Sequence, residues 1–157
     1  MSYSEKIRAL IVDDEELNRR DLFLALKSYP NWEVVAQSNS VNTARSVVNE
    51  VPVDVIFLDI RMPQESGLQF ADELSKRDSP PRIIFVTAHS QHAIDAFRLH
   101  ALDFLLKPVA DQHLQQAIER AQKMLELRQQ ANLAQALRSY LHSEAQEKLA
   151  QRAYWQQ

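Results

Sequence analysis

Five short apolar runs, each followed by a stretch of helical character, leave this chain few ways to fold. The runs are Arg8–Val12, Glu33–Gln37, Val53–Leu58, Ile83–Thr87 and Asp103–Leu106. Three of them are nearly continuous in Val, Ile, Leu and Phe, as strands covered on both faces must be, whereas the fifth is weak on pattern alone. Helical stretches are predicted at Glu15–Ser28, Val41–Asn49, Ser66–Lys76 and Gln91–Leu99. Asn39 or Ser40 is placed to cap the second and Ser90 the fourth. Strand and helix alternating in this way predict an α/β fold with a parallel sheet.

The natural arrangement for five such units is a doubly wound five-stranded sheet in the flavodoxin-like order 2-1-3-4-5. After Pro108 the chain changes character. From Val109 to Gln157 it has no Gly or Pro, and helix formers dominate. Leu114, Ala117, Ile118, Ala121, Met124 and Leu125 form an apolar stripe at helical spacing, expected to pack on the sheet and to end a first domain near residue 128. A thinner series, Ala134, Leu137, Leu141, Ala145 and Leu149, follows a gap at Arg128–Asn132. Residues 129–157 are therefore an extended C-terminal helix, read either as loosely packed or as a linker that mediates self-association.

Composition removes several classes of function. With 45% hydrophobic and 25% charged residues, the 157-residue chain has the make-up of a soluble globular protein. The apolar runs are too short to span a bilayer, and the N-terminus leads straight into a strand, so neither a membrane partner nor a secretory leader is expected. Absence of cysteine removes disulfides, zinc ribbons and thiol catalysis, and fits a cytoplasmic protein. Net charge is −3 with no basic stripe, so the chain is not expected to grip DNA by itself. The single glycine, Gly67, excludes a Gly-rich phosphate cradle. Any phosphate chemistry must rest on side chains and a metal.

Ligands of doubly wound sheets sit beyond the carboxyl ends of the strands. Strand one ends in Asp13-Asp14, strand three in Asp59, strand four in Thr87, and strand five runs into Lys107-Pro108. Singly, each has a plain structural reading: a helix cap, a turn residue, the last residue of a β-rich strand, a surface charge. Together they bring three carboxylates, a hydroxyl and an ammonium to one crevice. Close carboxylates repel unless a cation offsets them. A hard divalent ion suits such a set, and Mg²⁺ needs only one or two carboxylates besides water and phosphate oxygens.

The segments Ile-Val-Asp-Asp-Glu-Glu (11–16), Ile-Phe-Leu-Asp-Ile-Arg-Met-Pro (56–63), Phe-Val-Thr-Ala (85–88) and Leu-Asp-Phe-Leu-Leu-Lys-Pro (102–108) resemble, in order and spacing, receiver domains of two-component response regulators. The likeness covers about residues 6–125. It implies that Asp59 is the phosphoacceptor and that Mg²⁺ is held by Asp14, Asp59 and the Arg61 backbone carbonyl, with Asp13 acting mainly through water. It implies further that Thr87, Ala88 and Lys107 contact the phosphoryl group, that Thr87 and Phe104 form the switch, and that Pro108 follows a cis bond. The implied phosphodonor is a sensor histidine kinase or phosphotransfer protein, and substrate turnover of the usual enzymatic kind is not expected. Arg61 and His89 hold positions that screen attacking water in this family and are expected to set the lifetime of the phosphoryl group. There are departures: Gln64 stands where many receivers have glycine, and Phe104 replaces a common tyrosine. His92, His100, His113 and His142 show no metal spacing and read as surface or helix-packing residues.

The stretch from Thr87 to Val109 is similar to receivers of LytTR-type transcriptional regulators, which carry a β-rich DNA-binding domain after the receiver. None is visible here, and the Tyr154-Trp155 pair suggests an interrupted chain. The favoured expectation is the regulatory part of such a regulator, forming a homodimer through its fourth and fifth helices and the C-terminal helix, with DNA contacted only by a domain outside this chain. The alternatives are a stand-alone receiver and a constitutively dimeric pseudo-receiver acting through protein association. A haloacid-dehalogenase-type phosphatase also uses an aspartyl nucleophile after a strand, but its Asp-x-Asp is missing at Asp59-Ile60-Arg61 and Asp14-Glu15-Glu16.

Overall fold

The computed structural model describes residues 6–155. Its elements run β1 (Ile7–Val12), α1 (Glu16–Leu26), β2 (Trp32–Ser38), α2 (Val41–Glu50), β3 (Val55–Leu58), α3 (Gly67–Ser75) and β4 (Arg82–Thr87). A 3-10 turn (Ser90–His92), α4 (Ala93–Arg98), β5 (Asp103–Leu106) and α5 (Asp111–Trp155) complete the chain. All strand pairs are parallel and the order is β2-β1-β3-β4-β5, as the alternation of runs predicts. The pattern-poor fifth run is a strand too, paired to β4 from Asp103 to Leu106.

Every residue of β3 is buried, as are Leu10–Val12 of β1 and Ile83–Thr87 of β4. Leu10, Val12, Ile56, Leu58 and Phe85 pack in one cluster with Val41 and Ala44 of α2, Phe70, Ala71 and Leu74 of α3, and Ala96 of α4. Fully burying a side chain of this size contributes about 1.5–3 kcal/mol, so these strands anchor the fold. The stripe on α5 is buried at Leu114, Ala117, Ile118 and Ala121. One compact unit extends through Ala121, and the described residues beyond it, 122–155, form a second, helical one. In that second unit Leu127, Leu133, Leu137, Tyr140, Leu141 and Leu149 are exposed. The side chains of Tyr154 and Trp155 lie outside the described residues.

Local chemistry sets most helix starts. Ser40 caps α2 by accepting the Thr43 N–H at 3.1 Å. Ser66 caps α3 in a capping box with Gln69. The fourth helix departs from expectation. Ser90 does not cap it but opens the 3-10 turn, and α4 begins only at Ala93 without a side-chain cap. It is six residues long and ends in a Schellman motif, with His100 N–H on the Phe97 carbonyl and Ala101 N–H on the Ala96 carbonyl. His100 takes the left-handed position, at φ 58°, that glycine usually fills. Only Ala96 of α4 is buried.

Two positions after β3 make opposite demands on glycine. Gly67 starts α3 against the backbone of Asp59, donating its N–H to the Ile60 carbonyl at 2.8 Å. A Cβ there would lie 2.1 Å from the Asp59 carbonyl oxygen. Gln64, by contrast, is exposed at φ 72° and has a side chain where none is favoured. Replacing Gly67 with Ala is expected to lower stability by more than about 2 kcal/mol, since backbone must shift to admit the methyl. Gln64→Gly is expected to raise it by about 0.5–1 kcal/mol, relief of left-handed strain exceeding the added unfolded-state entropy. Denaturant unfolding of both variants measures the two changes.

Candidate functional site

The last rungs of the parallel ladders place the candidate residues. Asp13 N–H donates to the Ser38 carbonyl at 3.1 Å, Asp59 N–H to the Val12 carbonyl at 2.9 Å, and Lys107 N–H to the Thr87 carbonyl at 2.9 Å. Each residue is thus fixed by sheet hydrogen bonds just where its strand ends. The sequence needs nothing special for this beyond continuous apolar strands of matched register.

At these ends Asp13, Asp14 and Asp59 bring carboxylate oxygens within 4.8 Å of one another. Asp13 and Asp59 are buried, at 5% and 7% exposure, and Asp14 is exposed. Lys107 Nζ lies between the buried pair, donating to Asp13 Oδ2 at 2.7 Å and to Asp59 Oδ2 at 3.0 Å. Burial alone pushes this ammonium's pKa down, but the bonds and charges of the two aspartates outweigh it and the net shift is upward. Lys107 therefore stays charged. The Lys107–Pro108 bond is cis, as the resemblance implies.

Asp13 does not cap α1, whose N-cap is Glu15 without a side-chain bond, but it holds the approach to that helix. Its Oδ1 accepts the Glu15 N–H at 2.9 Å, and its carbonyl accepts from Arg19 Nη1 at 2.7 Å, which orients the start of α1. Asp59 Oδ1 differs: it is buried with no hydrogen-bond partner. A buried carboxylate oxygen left open beside two more carboxylates fits a hard divalent cation, and Mg²⁺ suits this all-oxygen set.

Thr87 is fully buried on the neighbouring strand, and its Oγ1 accepts the His89 N–H at 3.4 Å. Ala88 is exposed. Phe104 is half-buried on β5 and packs against the main core cluster, its register partner being Phe85 rather than Thr87. Arg61 is exposed two residues beyond Asp59, and His89 stands ring to ring with His92.

Two contributors escaped the sequence reading. Gly67 is one: in the sequence it only excludes a Gly-rich phosphate cradle, whereas its missing side chain is what lets α3 rest on the backbone of Asp59. Arg45 of α2 is the other. It bonds Glu65 in the loop after Asp59 at 2.9 Å and Glu73 of α3 at 2.8 Å, its guanidinium over the Phe70 ring. Those bonds raise the Arg45 pKa and lower that of Glu73. No spacing rule announces a pair 20 or 28 residues apart between helices.

Comparison with known proteins agrees with this geometry. Residues 9–119 match the model of the response regulator receiver domain. Curated relatives include the sensory transduction protein LytR of Staphylococcus saprophyticus, 39% identical over 76% of this chain and 47% of its own. Another is the sensory transduction protein LytT of Enterococcus faecalis, 37% identical over 74% of this chain and 48% of its own. The chain thus spans about half the length of the curated relatives it matches. Among solved structures, the response regulatory domain of mrkE from Klebsiella pneumoniae superposes with a TM-score of 0.70 at 31% identity, over 79% of this chain and 99% of that one. The REC domain of AraT from Geobacillus stearothermophilus gives 0.72 at 29%, over 78% and 98%. With strand order, acidic cluster and family match in agreement, the chain belongs to the response regulator receiver domain family.

Proposed function

We propose that this receiver accepts a phosphoryl group on Asp59 from a sensor histidine kinase or phosphotransfer protein, and that the modification drives its output. The observation that carries this reading is the convergence of Asp13, Asp14, Asp59 and Lys107, with Asp59 Oδ1 buried and unpartnered. A carboxylate oxygen of Asp59 attacks phosphorus in line. The bond to the donor's imidazole nitrogen breaks, its electron pair staying on the ring with a proton, and an acyl phosphate forms on Asp59. Mg²⁺, held by Asp14, Asp59 and the Arg61 carbonyl with Asp13 behind a water, would offset charge on the phosphoryl oxygens. Lys107, which donates to Asp59 Oδ2 at 3.0 Å, would pair with one of those oxygens by leaving the carboxylate for the incoming group.

Thr87 donates its hydroxyl to the phosphoryl group, drawing Ala88 and the β4–α4 connection inward, and Phe104 fills the space released. In the structure Thr87 Oγ1 accepts from His89 N–H, so the loop and the hydroxyl are already tied. The moving part is weakly held, since α4 buries only Ala96. Ile94 and Phe97 of α4 are 66% and 82% exposed, and Leu106 of β5 46%. An apolar patch of that kind on adjoining elements favours a homodimer through α4 and α5, with the C-terminal helix extending the contact. By the resemblance of Thr87–Val109 to receivers of LytTR-type regulators, the effector would be a DNA-binding domain of that type outside this chain. Residues 1–128 then serve as receiver and 129–157 as linker, in the cytoplasm. No described helix is long and apolar enough to cross a membrane.

Incubation with acetyl phosphate and Mg²⁺ is expected to add one phosphoryl group by intact mass, lost with chelator and absent in Asp59→Ala. A protein that stays dimeric without any adduct would instead be a pseudo-receiver. Arg61→Ala and His89→Ala are each expected to shorten the half-life of the adduct about two- to tenfold, up to ~1.4 kcal/mol of barrier. Unchanged decay of the phosphorylated protein in both variants would remove their screening role.

A further inference from the structure

Arg45 on α2 holds two carboxylates with one guanidinium. Its Nε and Nη2 donate to Glu73 at 2.8 Å and 2.9 Å, and its Nη1 and Nη2 donate to Glu65 at 3.3 Å and 2.9 Å. Both contacts are two-pronged, a geometry that a planar fork gives and an ammonium cannot. The guanidinium lies over the ring of Phe70, 5.7 Å from its centroid, and Phe70 belongs to the core cluster. Arg45 is thereby braced against the rigid part of the molecule.

The two carboxylates do different things. Glu73 lies within α3, so its bond joins one helix to another. Glu65 lies in the loop between β3 and α3, four residues beyond Arg61. That loop is tied at its base, where Gly67 N–H donates to the Ile60 carbonyl at 2.8 Å, and Glu65 N–H folds back onto the Pro63 carbonyl at 2.8 Å. Between these ties Arg61, Pro63 and Gln64 are exposed, and Gln64 stands in the left-handed region at φ 72°. The Glu65 side chain joins this stretch to α2. An exposed loop with an unfavoured backbone angle needs such a hold to keep one shape.

We propose that Arg45, through Glu65, positions the β3–α3 loop and with it the Arg61 backbone carbonyl that serves Mg²⁺. The inference rests on the reading of Asp59 as acceptor with Mg²⁺ beside it. Mg²⁺ demands near-octahedral geometry at about 2.0–2.1 Å, so a carbonyl displaced by a fraction of that distance is a poorer ligand. Arg45 is a positioning residue, and its effect passes along the loop backbone.

Charge and position predict opposite results for the same substitution. Arg45 is a cation, so its removal would tighten Mg²⁺ binding if its effect were only electrostatic. If it positions the loop, its removal weakens binding despite the relieved repulsion. Calorimetric titration of the whole chain with Mg²⁺ measures this, with circular dichroism to check that each variant is folded. Arg45→Ala is expected to weaken Mg²⁺ at least about threefold, less than the ~10–100-fold loss for groups bonded directly to a ligand. Arg45→Lys, able to hold one carboxylate at a time, is expected to regain part of that loss. Glu73→Gln cuts only the helix–helix arm and is expected to leave Mg²⁺ affinity unchanged. Binding in Arg45→Ala as tight as in wild type, or tighter, overturns the proposal, and so does an equal loss in Glu73→Gln. A wild type that binds no Mg²⁺, or binds it equally well as Asp14→Asn, overturns instead the reading of the metal site on which the proposal rests.

Discussion

The ammonium of Lys107 between Asp13 and Asp59 is the contact on which the rest of the site depends. Two carboxylates with 5% and 7% exposure repel each other unless a cation stands between them. Lys107 supplies one from β5, 2.7 Å and 3.0 Å away. It joins residues that β1, β3 and β5 carry separately, and so ties the outer strand to the middle of the sheet. Such a buried ion pair is weak evidence for stability, because desolvation consumes much of the attraction. What it secures is a cation held against the Asp59 carboxylate at the end of β3.

Around this fixed centre the structure is graded in rigidity. β3 is buried throughout and α3 rests directly on the backbone that follows it. Arg45 holds the loop after Asp59 from α2 and α3 together. On the other side of β4, α4 buries one alanine and turns Ile94 and Phe97 outward. Elements with little buried apolar surface open at low cost. The rigid half presents Asp59, and the lightly held half is the part most easily displaced.

Most of this was legible in sequence because it depends on short-range pattern. Unbroken runs such as Val55–Leu58 read as buried strands, and the residues that close or directly follow each run mark a strand end in any doubly wound sheet. Asp13, Asp59, Thr87 and Lys107 were found that way. The rest depends on shape or distance. The 3-10 entry to α4 hides behind an ordinary helical composition, and Ser90 looks like a cap until the turn is seen. The left-handed backbone at Gln64 and His100 has no glycine to announce it. Arg45 reaches carboxylates 20 and 28 residues away, a meeting that only the packed helices arrange.

Gly67 has a bearing on how such a chain can change over time. Its hydrogen is the only side group that fits against the carbonyl of Asp59, so one codon answers to the folding of α3 and to the placement of Asp59 alike. Drift that an exposed loop residue tolerates is closed at this position, and compensation would need the loop and the strand end to change at once. Lineages of this protein are therefore expected to vary at Gln64 long before they vary three residues further on.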